Sequence, residues 1–275
     1  MRALAALTLC AALFSITPAQ QASQTPALTP LQREIERERQ RLSSPEVEER
    51  RDAVLRLGQM KRPDSSRTAA AGLRDPAAIV RATATHAVLS LPPDEAANLL
   101  LPLLQDKDEF ARREAAYALG ETRSRVGVNA LIVALAGDKA ESVRSSAAVA
   151  LGQIGDEAAV VPLTQTFTRR LRVSSGFFRR VRRQVPENEF VRRAAARSLG
   201  QIDSRAAVPA LISVLADDSA GDDVRREAAR SLGLIGDPAA VSALRAVLNS
   251  RDPYLSRIAY EALIKIAPAE AVRPT

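Results

Sequence analysis

The chain carries the stretch Val224-Arg225-Arg226-Glu227-Ala228-Ala229-Arg230-Ser231-Leu232-Gly233, and versions of it recur along most of the 275 residues. Counterparts of its leucine, which we call anchor residues, are Leu57, Val88, Leu119, Leu151, Leu199, Leu232 and Leu263. Successive anchors are 31, 31, 32, 48, 33 and 31 residues apart. An arginine stands seven residues before six of the seven anchors, and a glycine follows five of them. A period near 31 with one longer interval predicts stacked supersecondary units and one insertion.

Each copy encodes two helices. The first resembles residues 207–215, in which apolar positions recur at helical spacing and a proline stands in the first turn. The second is the quoted stretch, whose valine, two alanines and leucine form an apolar stripe. The glycine that follows the anchor, such as Gly233, suits a left-handed helix end. Because one pair of helices cannot bury its apolar face alone, we expect the pairs to stack.

This pattern resembles the HEAT-repeat family, in particular its short phycobilisome-lyase variety, over residues 44–267. The resemblance implies an all-α, right-handed α-solenoid of about seven two-helix repeats, of the armadillo-like kind. It also implies that the Val-Arg helix lines the concave side and that an aspartate before it pairs with its arginine across the turn. Aspartates stand six residues before the repeat arginine in three copies, as Asp75 and Arg81, Asp106 and Arg112, and Asp138 and Arg144.

The composition agrees with thin layers of packed helices. Hydrophobic residues make up 46% of the chain, but aromatic residues only 3%, and tryptophan is absent. A core of alanine, leucine and valine therefore replaces the large aromatic side chains of a typical enzyme core. The chain has one histidine and one cysteine, so a multi-residue soft-metal site lacks ligands. We expect no metal and no cofactor.

The first residues have the pattern of a targeting signal. Met1-Arg2 precedes an apolar run over residues 3–14, and small residues follow up to Ala19. We therefore expect a signal peptide over residues 1–19, cleaved after Ala19, and a periplasmic or secreted chain. The run is shorter than the roughly 20 residues that span a bilayer, so no transmembrane span is expected in the mature chain. A retained anchor, or a lipoprotein acylated at Cys10, is the alternative.

The segments that flank the repeats also have distinct patterns. Residues 20–29 are rich in Gln, Pro, Ser and Thr and are typical of a flexible leader. Residues 30–43 predict a capping helix with one narrow apolar face formed by Leu31, Ile35 and Leu42. Residues 268–275 form a C-terminal tail after the solenoid of residues 44–267.

The longer interval corresponds to an insertion, Thr168–Asn188, between the two helices of one repeat. It holds seven arginines and one acidic residue, a net charge of +6, while the whole chain has +7. A helix would place Phe177, Phe178, Val181 and Val185 on one face; alternatively, residues 171–173 could pair with residues 178–181 as a hairpin. Its arginines could dock an anionic partner or surface, or they could simply be solvated while an apolar face folds onto the solenoid.

A second candidate surface follows from helix geometry. On each Val-Arg helix, the positions six before, two before and two after the anchor form one solvent-facing row. The row is mixed in the early copies and basic in the later ones, so we expect a positive C-terminal region on the concave face. Together the insertion and this row supply the candidate binding residues Arg169, Arg170, Arg172, Phe177, Phe178, Arg179, Arg180, Arg182, Arg183, Arg193, Arg197, Arg226 and Arg230.

The sequence has no nucleophile elbow, phosphate-binding glycine loop or metal-ligand spacing. Its one histidine, His86, occupies a variable row position, and it cannot reproduce the paired His-Glu motifs of the HEAT-repeat deoxyhypusine hydroxylase. We therefore expect a non-catalytic scaffold that binds a protein or peptide along the concave face, and no nucleic acid. The alternative is recruitment to an anionic envelope or lipid surface through the insertion. A weaker alternative, from the resemblance alone, is a lyase-like enzyme.

Overall fold

The computed structural model describes residues 28–175 and 181–271. Within these ranges the chain forms seven consecutive pairs of α-helices. The first helices of the pairs are α1 (Pro30–Arg41), α3 (Pro63–Ala69), α5 (Pro93–Leu100), α7 (Val128–Gly137), α9 (Val160–Thr168), α11 (Val208–Ala216) and α13 (Val241–Ala246). The second helices are α2 (Val47–Gln59), α4 (Ala78–Ala87), α6 (Glu109–Thr122), α8 (Glu141–Ile154), α10 (Glu189–Ile202), α12 (Asp222–Ile235) and α14 (Pro253–Ile266). Short 3-10 segments flank every first helix from α3 onward.

Helix α1 packs on α2 and α3 and takes the place that the first helix has in later pairs. It begins with a capping box, in which the Thr29 hydroxyl accepts from the Gln32 backbone N–H and the Gln32 side chain accepts from the Thr29 N–H. Ile35 packs against the core, whereas Leu31 is exposed. The helix that we expect as a cap is therefore the first helix of repeat 1.

The anchor residues lie at the centre of one continuous core. They are completely buried, and alanine, leucine and valine side chains from every pair surround them: Leu57, Val88, Leu119, Leu151, Leu199, Leu232 and Leu263. Each anchor lies on a second helix or, for Val88, at its last turn. The expected all-α solenoid of seven two-helix repeats is thus confirmed.

The glycine after the anchor admits the next repeat and does not end its own helix. Gly233 lies inside α12, which continues to Ile235 and ends at Gly236 with a φ of 68°. A Cβ added to its equivalent Gly120 would lie 2.6 Å from the Cα of Ala150 in the next second helix. The expectation of a left-handed helix end at this glycine is therefore wrong, because the close approach of two helix backbones is what requires it.

The second helices form one continuous layer in which each packs extensively on the next. Successive first helices, by contrast, contact each other much less. A stack whose helices lie closer together on one side curves toward that side, so the second helices form the concave surface. We call their solvent-facing side the inner face.

The insertion forms an antiparallel β-hairpin of β1 (Arg170–Ser175) and β2 (Val181–Pro186). It lies between α9 and α10, the two helices of repeat 5. Leu171 pairs with Val185, not with any of residues 178–181. The hairpin alternative is therefore confirmed and the helix is wrong, but the expected register is also wrong, because residues 170–175 pair with residues 181–186.

Repeat 7 departs from the pattern at two positions. Ser256 replaces the arginine that stands seven residues before the anchor in the other repeats. Ile264 replaces the glycine after the anchor, and 44% of Ile264 is exposed. The last second helix, α14, therefore lacks both the arginine and the glycine through which most second helices contact the next repeat.

The expected signal peptide and most of the leader lie outside the described residues. Among the residues that the structure does describe, none belongs to a helix that is both long and apolar enough to cross a membrane.

Candidate functional site

A ladder of buried ion pairs closes the junctions between the first repeats. The Nε atom of Arg81 donates to Oδ2 of Asp106 at 2.6 Å, and its Nη2 donates to Oδ1 at 2.7 Å. Arg50 bonds to Asp75, and Arg112 to Asp138, in the same two-pronged way. Each pair joins a second helix to the turn before the next second helix.

The ladder therefore runs between repeats, which contradicts the pairing that the family resemblance implies. Asp75 gives its carboxylate to Arg50 of the preceding repeat, not to Arg81. Arg81 instead donates from Nη1 to the backbone carbonyls of Asp75 and Pro76, at 2.7 and 3.0 Å. One guanidinium thus braces its own turn and grips the following repeat, because its planar fork has five donors.

Glu187 continues the ladder across the insertion. Arg144 donates from Nη2 to Oε1 of Glu187 at 2.8 Å and from Nε to Oε2 at 3.1 Å. Arg169 donates to the same carboxylate at 3.2 Å and also to the carbonyls of Leu135 and Ala136, both at 2.7 Å. The only acidic residue of the insertion is thus fully buried in the scaffold. Arg169, a candidate binding residue, anchors the base of the hairpin.

The ladder acids are stabilised in their ionised form. Burial alone would raise the pKa of Asp75, but the bonds from Arg50 and the Ala77 backbone N–H outweigh it and hold that pKa below its ordinary value. Burial is likewise opposed by Arg112 at Asp138 and by Arg144 at Glu187, and both pKa values are lowered. These carboxylates therefore remain charged in the folded protein at neutral pH.

The ladder stops at the junction between repeats 5 and 6. Arg192 occupies the ladder position of repeat 5, but among the described residues its buried Nε has no hydrogen-bond partner. Asp217, which stands 25 residues later, accepts instead from the Ser219 backbone N–H at 2.9 Å and hydroxyl at 2.6 Å. Arg192 is thus a ladder arginine that lacks the bonds of its counterparts.

The following junction is closed by a different arginine. Arg225, the ladder residue of repeat 6, pairs with Asp218 at 2.8 Å and donates to the Leu215 carbonyl, both close to its own turn. Its neighbour Arg226 donates to the two carboxylate oxygens of Asp252 at 2.7 and 2.9 Å. The contact to repeat 7 has therefore shifted by one residue.

Most of the described aromatic side chains are exposed on the second helices, whereas Phe167 and Tyr260 are partly buried and pack against the core. No phenylalanine or tyrosine within the described ranges is buried. Four are exposed, and all four lie on second helices: Phe110, Tyr117, Phe190 and Tyr254. Phe190 and Tyr254 are the most open, with 61% and 59% of their surface exposed. These four large apolar rings thus face solvent on the layer of second helices.

Three of these rings carry a stacked arginine. The guanidinium carbon of Arg113 lies 4.7 Å from the ring centre of Phe110. The corresponding distances are 5.4 Å for Arg193 over Phe190 and 5.1 Å for Arg226 over Tyr254. We call these three pairs the aromatic stations. Sequence reasoning overlooked the rings, although each stands nine residues before an anchor, in repeats 3, 5 and 7.

The station arginines are paired with acids of the scaffold. Arg113 donates to Glu114 at 2.7 Å, and Arg193 to Asp223 at 3.3 Å. Arg226 binds Asp223 in addition to Asp252. The row that we expect to be positive is thus largely a chain of ion pairs. Of the two remaining row candidates, Arg230 lies 3.9 Å from Glu227, whereas Arg197 is exposed and has no ion pair within the described residues.

A groove of about 610 Å³ crosses the inner face from repeat 3 to repeat 6. Its lining consists of Arg113, Glu141, Ser142, Ser145, Val149, Phe190, Arg193, Ala194, Arg197 and Glu227. The base of the hairpin borders the groove, because Asn188 donates from Nδ2 to Oε2 of Glu141 at 2.6 Å. The groove therefore brings candidate residues Arg193 and Arg197 together with Phe190.

The other insertion candidates lie along the hairpin. Arg170 begins β1 and is exposed. Arg172 lies opposite Gln184 in the strand register, and Arg182 and Arg183 lie opposite Ser174 and Val173. The remaining four lie outside the described residues: Phe177, Phe178, Arg179 and Arg180.

His86 is a partly exposed residue of the inner face. Its Nε2 lies 2.9 Å from Oε2 of Glu114, and its ring centre lies 6.0 Å from that of Tyr117. Within the described part of the chain, no group of three or more His, Cys, Asp or Glu side chains is arranged to hold a metal ion.

Sequence comparison assigns the fold to a family. A model of HEAT repeats matches residues 35–120, 97–172 and 218–274, and a model of the PBS lyase HEAT-like repeat matches residues 191–217. Together the matches cover most of the chain, and the chain belongs to the HEAT-repeat family. No curated protein matches the sequence.

The chain is similar to several solved structures, and two of the following three have TM-scores above 0.5. YibA from Escherichia coli is 18% identical with a TM-score of 0.59, and the match covers 86% of this chain and 81% of YibA. An engineered protein is 21% identical with a TM-score of 0.52, over 85% of this chain and 68% of its own. The complex of CpcE and CpcF of phycocyanin lyase from Nostoc is 24% identical with a TM-score of 0.49, and the match covers 92% of each chain.

Proposed function

We propose that the chain is a non-catalytic scaffold that binds a protein or peptide on its inner face. The observation that carries this proposal is the placement of the exposed aromatic rings on the second helices, three of them under an arginine. Aromatic and arginine residues dominate the binding energy of protein interfaces. Rings that recur in alternate repeats of one layer offer such residues along an extended surface.

The groups that line the groove support binding more than chemistry. Of its two carboxylates, Glu141 accepts from Asn188. Glu227 lies 3.9 Å from Arg230 through Oε1, and its buried Oε2 has no hydrogen-bond partner among the described residues. The hydroxyl of Ser142 donates to the Glu109 carboxylate at 2.6 Å. These contacts hold the lining side chains in place, as a preorganised recognition surface requires.

A pair of photocrosslinking positions tests this proposal. A photoreactive residue replaces Arg197 on the inner face or Val161, an exposed residue of first helix α9, in the full chain expressed in its native cells. We expect discrete protein adducts from position 197 that decrease when Phe190→Ala is added, and few adducts from position 161. Equal adducts from both positions, unaffected by Phe190→Ala, would contradict an inner-face scaffold.

We also propose that the chain is exported, on the pattern of residues 1–19. The full chain and a chain that begins at Gln20 would be expressed in a bacterial host and fractionated. We expect only the full chain in the periplasm or medium, shortened to a mass that corresponds to cleavage after Ala19. An unprocessed full chain that stays in the cytoplasm would contradict export.

Recruitment to an anionic surface is a second candidate function. It is favoured because the one acid of the insertion, Glu187, is buried against Arg144 and Arg169 and cannot offset the remaining arginines. The test measures sedimentation with vesicles of neutral lipid or of neutral lipid with anionic phosphatidylglycerol. A variant with Arg179, Arg180, Arg182 and Arg183 changed to serine should lose salt-sensitive binding to the anionic vesicles, whereas Arg205→Ser should not. Equal binding by both variants would eliminate this role.

A further inference from the structure

We infer that the aromatic stations of the inner face bind an extended, proline-containing peptide segment of low net charge. This inference rests on the proposed scaffold function and specifies its partner. Three observations carry it: the charge state of the stations, their spacing and the lining of the groove between them.

The stations offer apolar ring surface and little net charge. Arg113 is offset by Glu114, and Asp223 lies between Arg193 and Arg226 at 3.3 and 2.9 Å. A partner carboxylate would therefore compete with acids that the scaffold already supplies. A partner that stacks on the rings without contributing charge has no such competitor, and proline residues dock on aromatic grooves in this way.

The spacing of the stations fits an extended chain. The rings occur in repeats 3, 5 and 7, while the same position holds Ser142 in repeat 4 and Asp223 in repeat 6. Packed helices lie about 8–10 Å apart, so stations two repeats apart are separated by roughly 16–20 Å. A polyproline II segment rises about 3.1 Å per residue with three residues per turn, so about six residues, or two full turns, span that distance. The same side of the peptide thus returns at each station.

The groove between the stations of repeats 3 and 5 leaves room for a peptide backbone. Repeat 4 contributes three small residues, Ser142, Ser145 and Val149, and also Glu141, whose carboxylate accepts from Asn188. A polyproline II chain forms no internal hydrogen bonds, so its carbonyls are free to accept from side chains. Arg193 is already paired with Asp223, and the Ser142 hydroxyl with Glu109. Ser145 and Arg197 are therefore the donors of this stretch of the groove that have no such acidic partner in the described part of the chain.

The test uses three fluorescein-labelled, fourteen-residue peptides and fluorescence anisotropy with the full mature chain. One peptide has proline at every third position among Ala, Gln and Ser; the second has glutamate in place of proline, and the third has glycine. We expect the proline peptide to bind most tightly and to lose affinity by about tenfold in Phe190→Ala, the loss typical of truncating an interface aromatic residue. Val161→Ala, a residue of the same exposure on a first helix, should leave the affinity unchanged.

Peptide length provides a second measurement. A three-residue proline peptide is too short to span two stations, so it should bind at least about tenfold more weakly than the fourteen-residue one, and the Phe190→Ala and Tyr254→Ala losses should no longer depend on each other. Circular dichroism would verify that each variant remains folded.

Other outcomes distinguish a failure of the proline-peptide proposal from a failure of the inner-face scaffold proposal. Tighter binding of the glutamate peptide that is lost in Arg197→Glu would overturn the proline partner but leave inner-face binding intact. Equal binding of the proline and glycine peptides would likewise overturn it. If none of the peptides binds but the position-197 photocrosslink persists, the partner chemistry is wrong; if the crosslink is also absent, the scaffold function fails.

Discussion

Repeats 1–5 and repeats 5–7 are built from the same two-helix unit but are joined in different ways. Each junction from repeat 1 to repeat 5 contains a buried arginine that binds both oxygens of a carboxylate in the next repeat. At the junction of repeats 5 and 6, Arg192 has no such partner within the described residues. The arginine of the motif thus forms either a closed junction, with an ion pair to the next repeat, or an open junction without one. The outcome depends on whether the turn before the next second helix places a carboxylate beside the arginine.

The insertion lies at the junction of repeats 4 and 5, the last of the consecutive junctions that contain a paired arginine. It replaces the usual aspartate by Glu187, whose longer side chain reaches Arg144 from the end of β2. The hairpin therefore interrupts repeat 5 without interrupting the ladder. The junction that does open comes one repeat later, where Asp217 turns its carboxylate to Ser219.

Removal of the Glu187 carboxylate should have the largest effect on this comparison. In Glu187→Ala, the buried Arg144 and the partly buried Arg169 lose their shared acid, so we expect the free energy of unfolding to fall by about 4 kcal/mol. Urea unfolding followed by circular dichroism measures this loss. Glu141→Ala, which removes an exposed acid next to the hairpin, is the matched control, and a similar loss in both variants would show that Glu187 is not a ladder residue.

Replacement of a paired and an unpaired ladder arginine tests the boundary directly. Arg112→Met leaves Asp138 buried without its partner and should lower the free energy of unfolding by about 3 kcal/mol. Arg192→Met removes a buried Nε that has no partner, so its effect should stay within about 1 kcal/mol and could be stabilising. Urea unfolding of the two variants side by side provides the measurement. Equal losses would mean that Arg192 is paired in solution.

Acid pH should reduce the extra stability that the ion pair of a closed junction provides. A carboxylate with a lowered pKa in the folded state contributes stability above its unfolded pKa, and this contribution disappears as the pH falls through the folded value. Asp138→Asn should therefore cost about 2 kcal/mol at pH 7 and progressively less from about pH 4 to pH 2. Thermal melts across this range measure it, and Asp64→Asn, which replaces an exposed aspartate, is the control. A cost that is independent of pH would rule out the ion pair.

The sequence predicts the helical pairs well because the anchors repeat with the period of the structural unit. Leu119 and Leu151 are buried for the same reason that they recur, since each fills the same site of a stacked repeat. The hairpin is harder to predict. The apolar residues of the insertion fit both a helix and a strand hairpin. The backbone pairing of Leu171 with Val185 shows that they form strands.

The ladder depends on contacts between repeats, and so does the pairing of the station arginines with acids. The spacing of residues along the sequence does not show which residues make these contacts. Asp75 and Arg81 are six residues apart, yet the carboxylate of Asp75 faces Arg50 across the stack. Phe190 is a single aromatic residue at the start of α10, and its stacking with Arg193 is seen only in the structure. The predicted pairing of Asp75 is wrong because neighbours along the chain are not the neighbours that matter in a stack.

The two substitutions in repeat 7 make its second helix a poor acceptor for a second copy of the solenoid. Heterologous head-to-tail contacts that do not close generate fibres, and such a contact would use the positions at which the other repeats receive their neighbour. Ser256 stands in place of the ladder arginine, and Ile264, which is 44% exposed, stands in place of the glycine that admits the next backbone. This helix therefore offers a neighbouring molecule neither of the two features that join most repeats.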